Sequence, residues 1–343
     1  MNAQEMYEHL KGIVGNAIPD GEIRYKAEIA VEINRLKKER NAVILGHNYM
    51  EPLLYNSISD FIGDSLELSR KAAATDKDVI VFCGVKFMAE TAKILNPTKT
   101  VLLPSDAGCS LAASITAADV RALKERFPGV PVVTYVNTYA DVKAESDICC
   151  TSGNAIAVVE SLGTQTVIFL PDEYLAGNVA RETGKHIIYP TLTMPAAPSP
   201  DLDYQMIGWK GRCEVHEKYS VEDIRLIREQ YPDVLILAHP ECSPEVTAAS
   251  DFSGSTMAMI KYVEKTHAPH YLLLTECSMG DNIAAANPEK NMLKLCMVRC
   301  PHMNQITLEN TLESLRDNKI VIEVPEEIRV KAVRAVERMI AIG

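Results

Sequence analysis

No stretch of this 343-residue sequence reaches the eighteen or more consecutive apolar residues that a membrane-spanning helix requires. The opening residues, MNAQEMYEHLKG, lack the basic and apolar regions of a secretory signal, so the cytoplasm is the expected location and no membrane is expected as a partner. Positive charge is also scarce. Lys and Arg number 35 against 46 Asp and Glu, a net charge of −11, which argues against nucleic acids and anionic membranes as partners, since these demand a basic stripe. Neither a P-loop nor a G-x-G-x-x-G fingerprint occurs, so no nucleotide-binding signal is present. No C-x-x-C pair occurs, and nine cysteines is an odd count that argues against a disulfide framework. Burial, catalysis and metal binding remain as uses for the thiols.

What the sequence does have is globular composition, 47% hydrophobic and 24% charged, and a threefold internal repeat. The segments SDFIGDSLELSRKAA, SDICCTSGNAIAVVESL and SDFSGSTMAMIKYVEK begin at Ser59, Ser146 and Ser250, and each leads into an apolar pattern of helical period. Before each lies a strand-like run: NAVILGHNY, PVVTYVNTY, DVLILAHPE. After each come two more: DVIVFCG with KTVLLP, TVIFLP with HIIYP, YLLLTE with MLKLCMV. Short apolar runs alternating with helical patterns predict parallel strands buried on both faces. The fold class expected is α/β, three homologous αβα units in pseudo-threefold arrangement. The units span residues 1–113, 114–217 (with a proline-rich insertion at 191–208) and 218–305, followed by a helical segment, 306–343, packing on the first.

The repeat sorts the cysteines. Cys109 lies 50 residues after Ser59, Cys300 lies 50 after Ser250, and Cys213 lies 67 after Ser146, the insertion supplying the difference. Seven residues beyond each comes a capping pattern, Thr116 with Asp119, Ser220 with Asp223, Thr307 with Asn310. The three thiols therefore occupy one equivalent loop between a unit's last strand and the next helix. Such loops lie where parallel α/β units bind ligands, and threefold symmetry would bring them to one centre. Three thiolates suit zinc or an iron–sulfur cluster; a 4Fe–4S cluster with three protein ligands leaves one iron open as a Lewis acid. Cys83, Cys277 and Cys296 sit in apolar strand contexts and read as packing, as does the pair Cys149–Cys150 at a helix start.

Polar residues repeat as well. His47, Tyr135 and His239 end the three first strands, with Tyr49, Asn137 and Glu241 two positions on and facing the same side. Histidine and tyrosine can donate hydrogen bonds to anions, and a glutamate beside them can move a proton. Ser65, Ser152 and Thr256 recur just inside the next helix, where a hydroxyl and free N–H groups attract anions.

The ordered motifs LGHNY, CGVKFMAETAKILNP, DAGCSLA, YVNTYADVKAESD, LPDEYLAGNVARETGK, CEVHE, HPECSPEV and CPHMN resemble those of the quinolinate synthase family, from about residue 25 onward. The resemblance implies a 4Fe–4S cluster held by Cys109, Cys213 and Cys300. It implies condensation of iminoaspartate with dihydroxyacetone phosphate to quinolinate, a precursor of NAD, with an L-aspartate oxidase as supplier of the imine. It places His47, Ser65, Tyr135, Asn137, Ser152, His239 and Thr256 against substrate, and gives Tyr49 and Glu241 acid–base roles. Some family members carry C-x-x-C-x-x-C at the last ligand, whereas Cys296 and Cys300 here form C-x-x-x-C. Two other readings of the same residues are a zinc-dependent lyase or aldolase and a non-catalytic metabolite or iron sensor.

Overall fold

The computed structural model describes residues 1–15, 17–190, 204–294 and 298–343. Three short parallel sheets carry the chain. The first contains β1 (Ala42–His47), β2 (Phe61–Gly63), β3 (Val79–Cys83) and β4 (Thr100–Leu102), in spatial order β2-β1-β3-β4. The second contains β5 (Val132–Tyr135), β6 (Ile148–Cys150), β7 (Val167–Leu170), β8 (Ile187–Ile188) and β9 (Met206–Gly208), in order β6-β5-β7-β9-β8. The third contains β10 (Val234–Ala238), β11 (Phe252–Ser253), β12 (His270–Leu274) and β13 (Met292–Leu293), in order β11-β10-β12-β13. All ladders are parallel, and the central strands are buried on both faces by helices. In the third unit Ile236, Leu272 and Leu274 face one apolar cluster, while Leu237, Tyr271 and Leu273 face another on the opposite side.

Each Ser-Asp pair opens a short edge strand, not a helix. The aspartate explains the repeat. The carboxylates of Asp60, Asp147 and Asp251 accept from the N–H groups of Ile44, Val132 and Ile236, each at 2.8 Å. The same three aspartate N–H groups donate back to the carbonyls of those residues. Each aspartate thus pairs a buried backbone donor where the edge strand has not yet begun. Capping boxes at Thr116/Asp119, Ser220/Asp223 and Thr307/Asn310 start the next helices.

The second unit corrects the sequence reading. Met206–Gly208 falls in the stretch read as insertion, yet β9 pairs with β7 as β4 pairs with β3 and β13 with β12. The run HIIYP, read as the unit's last strand, forms the added edge strand β8. Residues 191–203 of the insertion lie outside the described residues.

Residues beyond 306 complete the first unit and then leave it. Helix Leu308–Asp317 is followed by a segment that pairs antiparallel with β4, through Leu103 N–H to Ile320 and Ile322 N–H to Val101, covering that sheet edge. Helix Glu326–Ile340 lies on the seam between the first and second units: its C-terminal carbonyls accept from Arg70 of the first and Asn154 of the second, and Arg338 donates to Asp147. Among the described residues no helix is long and apolar enough to cross a membrane.

Candidate active site

The carboxyl ends of the three sheets meet at one central cavity. The loops that follow β4, β9 and β13 bring Cys109, Cys213 and Cys300 to it. The ends of β1, β5 and β10 bring His47 and Tyr49, Tyr135 and Asn137, His239 and Glu241. The turns after β2, β6 and β11 bring Ser65, Ser152 and Thr256. Ser65 and Thr256 each open a ten-residue helix, behind the N-caps Asp64 and Ser255. Ser152 does not sit inside a helix. It rides a turn closed by Asn154, whose side chain accepts from the Thr151 N–H at 2.7 Å before helix Ala155–Ser161 begins.

The three thiols share one local design. The N–H groups two and three residues on point back at each sulfur: Leu111 and Ala112 at Cys109, Val215 and His216 at Cys213, His302 and Met303 at Cys300. A short 3-10 turn after each cysteine makes this geometry. Burial pushes the Cys109 thiol up to about 12 and also raises Cys213 and Cys300. Negative charge on Cys300 raises Cys109 further, and charge on Cys109 raises Cys213, which places the sulfurs in one field. Left to themselves these groups hold their protons. A cationic centre that takes three thiolates reverses this and finds six N–H donors already turned toward the sulfurs, so the donor set fits an iron–sulfur or thiolate-metal group.

Across the cavity lies a hydrogen-bonded chain. Glu241, 3% exposed, meets His216 Nδ1 at 2.6 Å and accepts from Asn137 Nδ2 at 3.1 Å. Burial alone would raise its pKa; the neighbouring His216 wins, and the carboxyl is held down at about 2. His216 Nε2 lies 2.9 Å from the Thr275 hydroxyl, which lies 2.6 Å from the Tyr49 hydroxyl. Burial raises Tyr49 and Tyr135 well above the ordinary phenol range, so both remain neutral donors.

His47 and His239 are matched. Their Nδ1 atoms accept from the N–H groups of Tyr49 and Glu241, at 3.2 and 3.3 Å, so the ring proton sits on Nε2. In His239 that nitrogen reaches Ser152 Oγ at 3.2 Å. Burial lowers His47 to about 4 and His239 to about 3, leaving both rings uncharged at neutral pH.

Comparison with known proteins agrees with this geometry. The family model described as "Quinolinate synthetase A protein" matches residues 31–341. The chain belongs to the quinolinate synthase family. It is 56% identical to quinolinate synthase 2 of Mesorhizobium japonicum, covering 90% of this chain and 89% of that one. Quinolinate synthase of Xylella fastidiosa is 51% identical over 96% of this chain and 91% of its own. That of Agrobacterium fabrum is 50% identical over 100% of this chain and 92% of its own. The chain is an enzyme of the quinolinate synthase type.

Of the six remaining cysteines, the five read as packing divide as follows. Cys83 ends β3, buried, its thiol pushed up to about 12. Cys149 and Cys150 are buried on edge strand β6, not at a helix start. Cys277 opens helix Cys277–Ala286 and lies beyond the strand that was expected to hold it. Cys296 lies outside the described residues. The sequence reading missed His216 and Thr275. The one available signal was position: both stand at places in the repeat where the other two units carry residues without such donors, Ala112 and Met303 for His216.

Proposed function

We propose that this member of the quinolinate synthase family condenses iminoaspartate with dihydroxyacetone phosphate, releasing phosphate and water and leaving quinolinate for NAD synthesis. The observation that carries the reading is the gathering of three equivalent thiols and three equivalent polar pairs in one cavity, in a chain about half identical to quinolinate synthases. Units 1–113, 114–217 and 218–305 serve as three wings of one site. Cys109, Cys213 and Cys300 would hold a 4Fe–4S cluster, whose fourth iron, free of protein ligand, supplies a Lewis acid for a hydroxyl or carboxylate.

The chain's own groups account for the rest. The Nε2–H donors of His47 and His239 and the hydroxyls of Ser65, Ser152 and Thr256 bind the anionic ends of the substrates, aided by the N-termini of helices Ser65–Ala74 and Thr256–Lys265. Asn137 Oδ1 is buried without a hydrogen-bond partner, an acceptor suited to an imine or amine N–H, and Tyr135 stands beside it as a neutral donor. Ionised Glu241 accepts a proton during isomerisation and returns it to a departing hydroxyl, while Tyr49 keeps its proton as an acid. An L-aspartate oxidase in the same cytoplasm supplies the short-lived imine.

The test is quinolinate formation by the anaerobically purified chain given both substrates. Activity is expected in the wild type, and Tyr49→Phe and Glu241→Gln should each slow it by about 10²–10⁴-fold. A cluster-loaded chain that makes no quinolinate refutes the reading. A zinc-dependent lyase is supported by one observation: the ligand atoms of Cys213, His216 and Glu241 lie within 4.8 Å of one another, a Cys-His-Glu donor set.

A further inference from the structure

In each unit the polar residue two places beyond the end of the first strand, Tyr49, Asn137 or Glu241, sits between two backbone carbonyls that one buried nitrogen holds. Asn282 Nδ2 donates to the carbonyls of Asn48 and Met50, at 3.3 and 2.9 Å. Asn178 Nδ2 donates to those of Pro240 and Cys242, at 2.8 and 3.0 Å. Lys143 Nζ donates to that of Val136 at 2.9 Å and to that of Thr138. All three donor residues are buried, and none of them lines the central cavity.

The donors follow the repeat. Asn178 and Asn282 are each the sixth residue of the helix after β7 or β12, Glu173–Thr183 and Cys277–Ala286. Each reaches into another unit: the second unit's helix holds the third unit's loop, and the third unit's helix holds the first's. The sixth residue of the matching helix after β3, Lys86–Leu95, is Thr91, whose hydroxyl donates to the Phe87 carbonyl of its own helix. Its neighbour Glu90 crosses to the second unit instead, accepting from the Ala140 N–H at 2.9 Å, and helix Ala140–Ala144 supplies Lys143 for the two carbonyls. The threefold set is thus complete, with a lysine where the amide is missing. The Thr247 hydroxyl donates to Asn178 Oδ1 at 2.6 Å, which fixes Nδ2 on the carbonyls. Asn282 makes the same two bonds although its Oδ1 stays buried without a hydrogen-bond partner among the described residues.

We propose that Asn178, Asn282 and Lys143 are positioning residues that aim Glu241, Tyr49 and Asn137 into the cavity from outside it. Irregular backbone has no ladder to fix it, and pinning the carbonyls on both sides of a residue fixes where its side chain points. Asn137 shows this most plainly. It is the middle residue of a tight turn closed by the Thr138 N–H on the Val136 carbonyl at 2.8 Å, and Lys143 takes the carbonyls at both ends of that turn. Tyr135 also lacks the ring nitrogen with which His47 and His239 hold the N–H two residues on. Losing a clamp leaves two buried carbonyls unmet, and the loop turns toward water or another donor. A shift of about 1 Å at a reacting group costs about 10²-fold in rate. The roles of the three loops rest on the quinolinate synthase reading; the clamps themselves do not.

The experiment compares wild type with Asn178→Leu, Asn282→Leu and Lys143→Met, which keep shape and remove the donors, by amide hydrogen exchange, iron content and steady-state quinolinate synthesis. Exchange should quicken in N282L only around residues 48–50, in N178L only around 240–242 and in K143M only around 136–138, with iron retained in all three. The kinetics should divide by the role of the loop. In N282L and N178L, which release the acid–base groups, kcat should fall about tenfold to 10²-fold with KM little changed. In K143M, which releases the residue assigned to the imine, KM for the imine should rise by about tenfold or more, since tenfold is about 1.4 kcal/mol of binding. Should one of these variants not fold, Asn→Ser at 178 or 282 and Lys→Gln at 143 repeat the reading, because they admit water to the carbonyls but offer no fixed donor. Exchange that rises evenly along the chain or not at all, a loosened loop with wild-type kinetics, kcat falling alike in all three with KM unmoved, or loss of iron overturns the proposal. A wild type that makes no quinolinate refutes the function reading instead, and hydrogen exchange then decides the clamps by itself.

Discussion

His47 and His239 carry no charge in the folded chain at neutral pH, and this has a direct cost in acid. An exposed histidine in the unfolded chain takes up a proton near 6.5, whereas these two rings resist protonation until about 4 and about 3. Below 6.5 the unfolded state therefore binds more protons than the folded one, and stability falls as pH drops toward the folded values. Above 6.5 the two histidines contribute a constant amount. Glu241 acts in the same direction over a lower window, its contribution being lost as pH falls from the ordinary glutamate value toward about 2. The unfolding free energy from urea titrations between pH 7.5 and 5 should decline with a slope approaching about 1.4 kcal/mol per pH unit for each histidine. The double variant His47→Gln/His239→Gln should flatten it. An unchanged slope in that variant would show that the two rings are not the groups responsible. Among the thiols, Cys213→Ala should abolish both iron binding and activity, and Cys277→Ser should keep its iron, since Cys277 lines a separate pocket with Tyr219 and Leu273 and not the cavity that holds the three sulfurs. Iron loss in C277S would contradict the assignment of ligands by repeat position.

Small elements decided how far the sequence could be read. Strands β1, β5, β10 and their long partners are continuous apolar runs of four to six residues and were legible as such. The edge strands FIG, ICC and FS are two or three residues long, too short to show any period, and were absorbed into the helices that follow. The strand β9 was hidden for a different reason. HIIYP and QMIG are both short apolar runs, and only lateral pairing, which leaves no local mark, decides which lies beside β7 and which at the edge. The Ser-Asp repeat was visible, but its purpose was not. Each aspartate serves a backbone N–H some sixteen residues earlier in the chain, a contact that exists only once the strands are parallel. Removing one such acceptor leaves a buried donor unpaired. Asp147→Ala should destabilise the second unit by about 1–3 kcal/mol, measured by urea unfolding, and Asp147→Asn should recover part of the loss.

At the scale of the whole molecule the repeat made the site legible. Twelve residues from three distant parts of the chain were grouped by equivalent position, and the cavity gathers all twelve because three sheets of the same order present the same strand ends to one centre. Symmetry also set the limit. His216 and Thr275 belong to no threefold set, and a reading that looked for recurrence passed over them although CEVHE and YLLLTE contain them. The terminal helix shows the same limit in packing. Its apolar face predicts burial but not against which neighbour, and it seals the seam between two units by holding Arg70 and Asn154, the residue that closes the turn bearing Ser152. The account stands on three thiols, one from each unit, forming a single centre. Iron and acid-labile sulfide content, with the visible spectrum, of protein purified without oxygen tests this most directly. The account predicts about four irons and four sulfides per chain; zinc without sulfide, in protein never exposed to air, would contradict it.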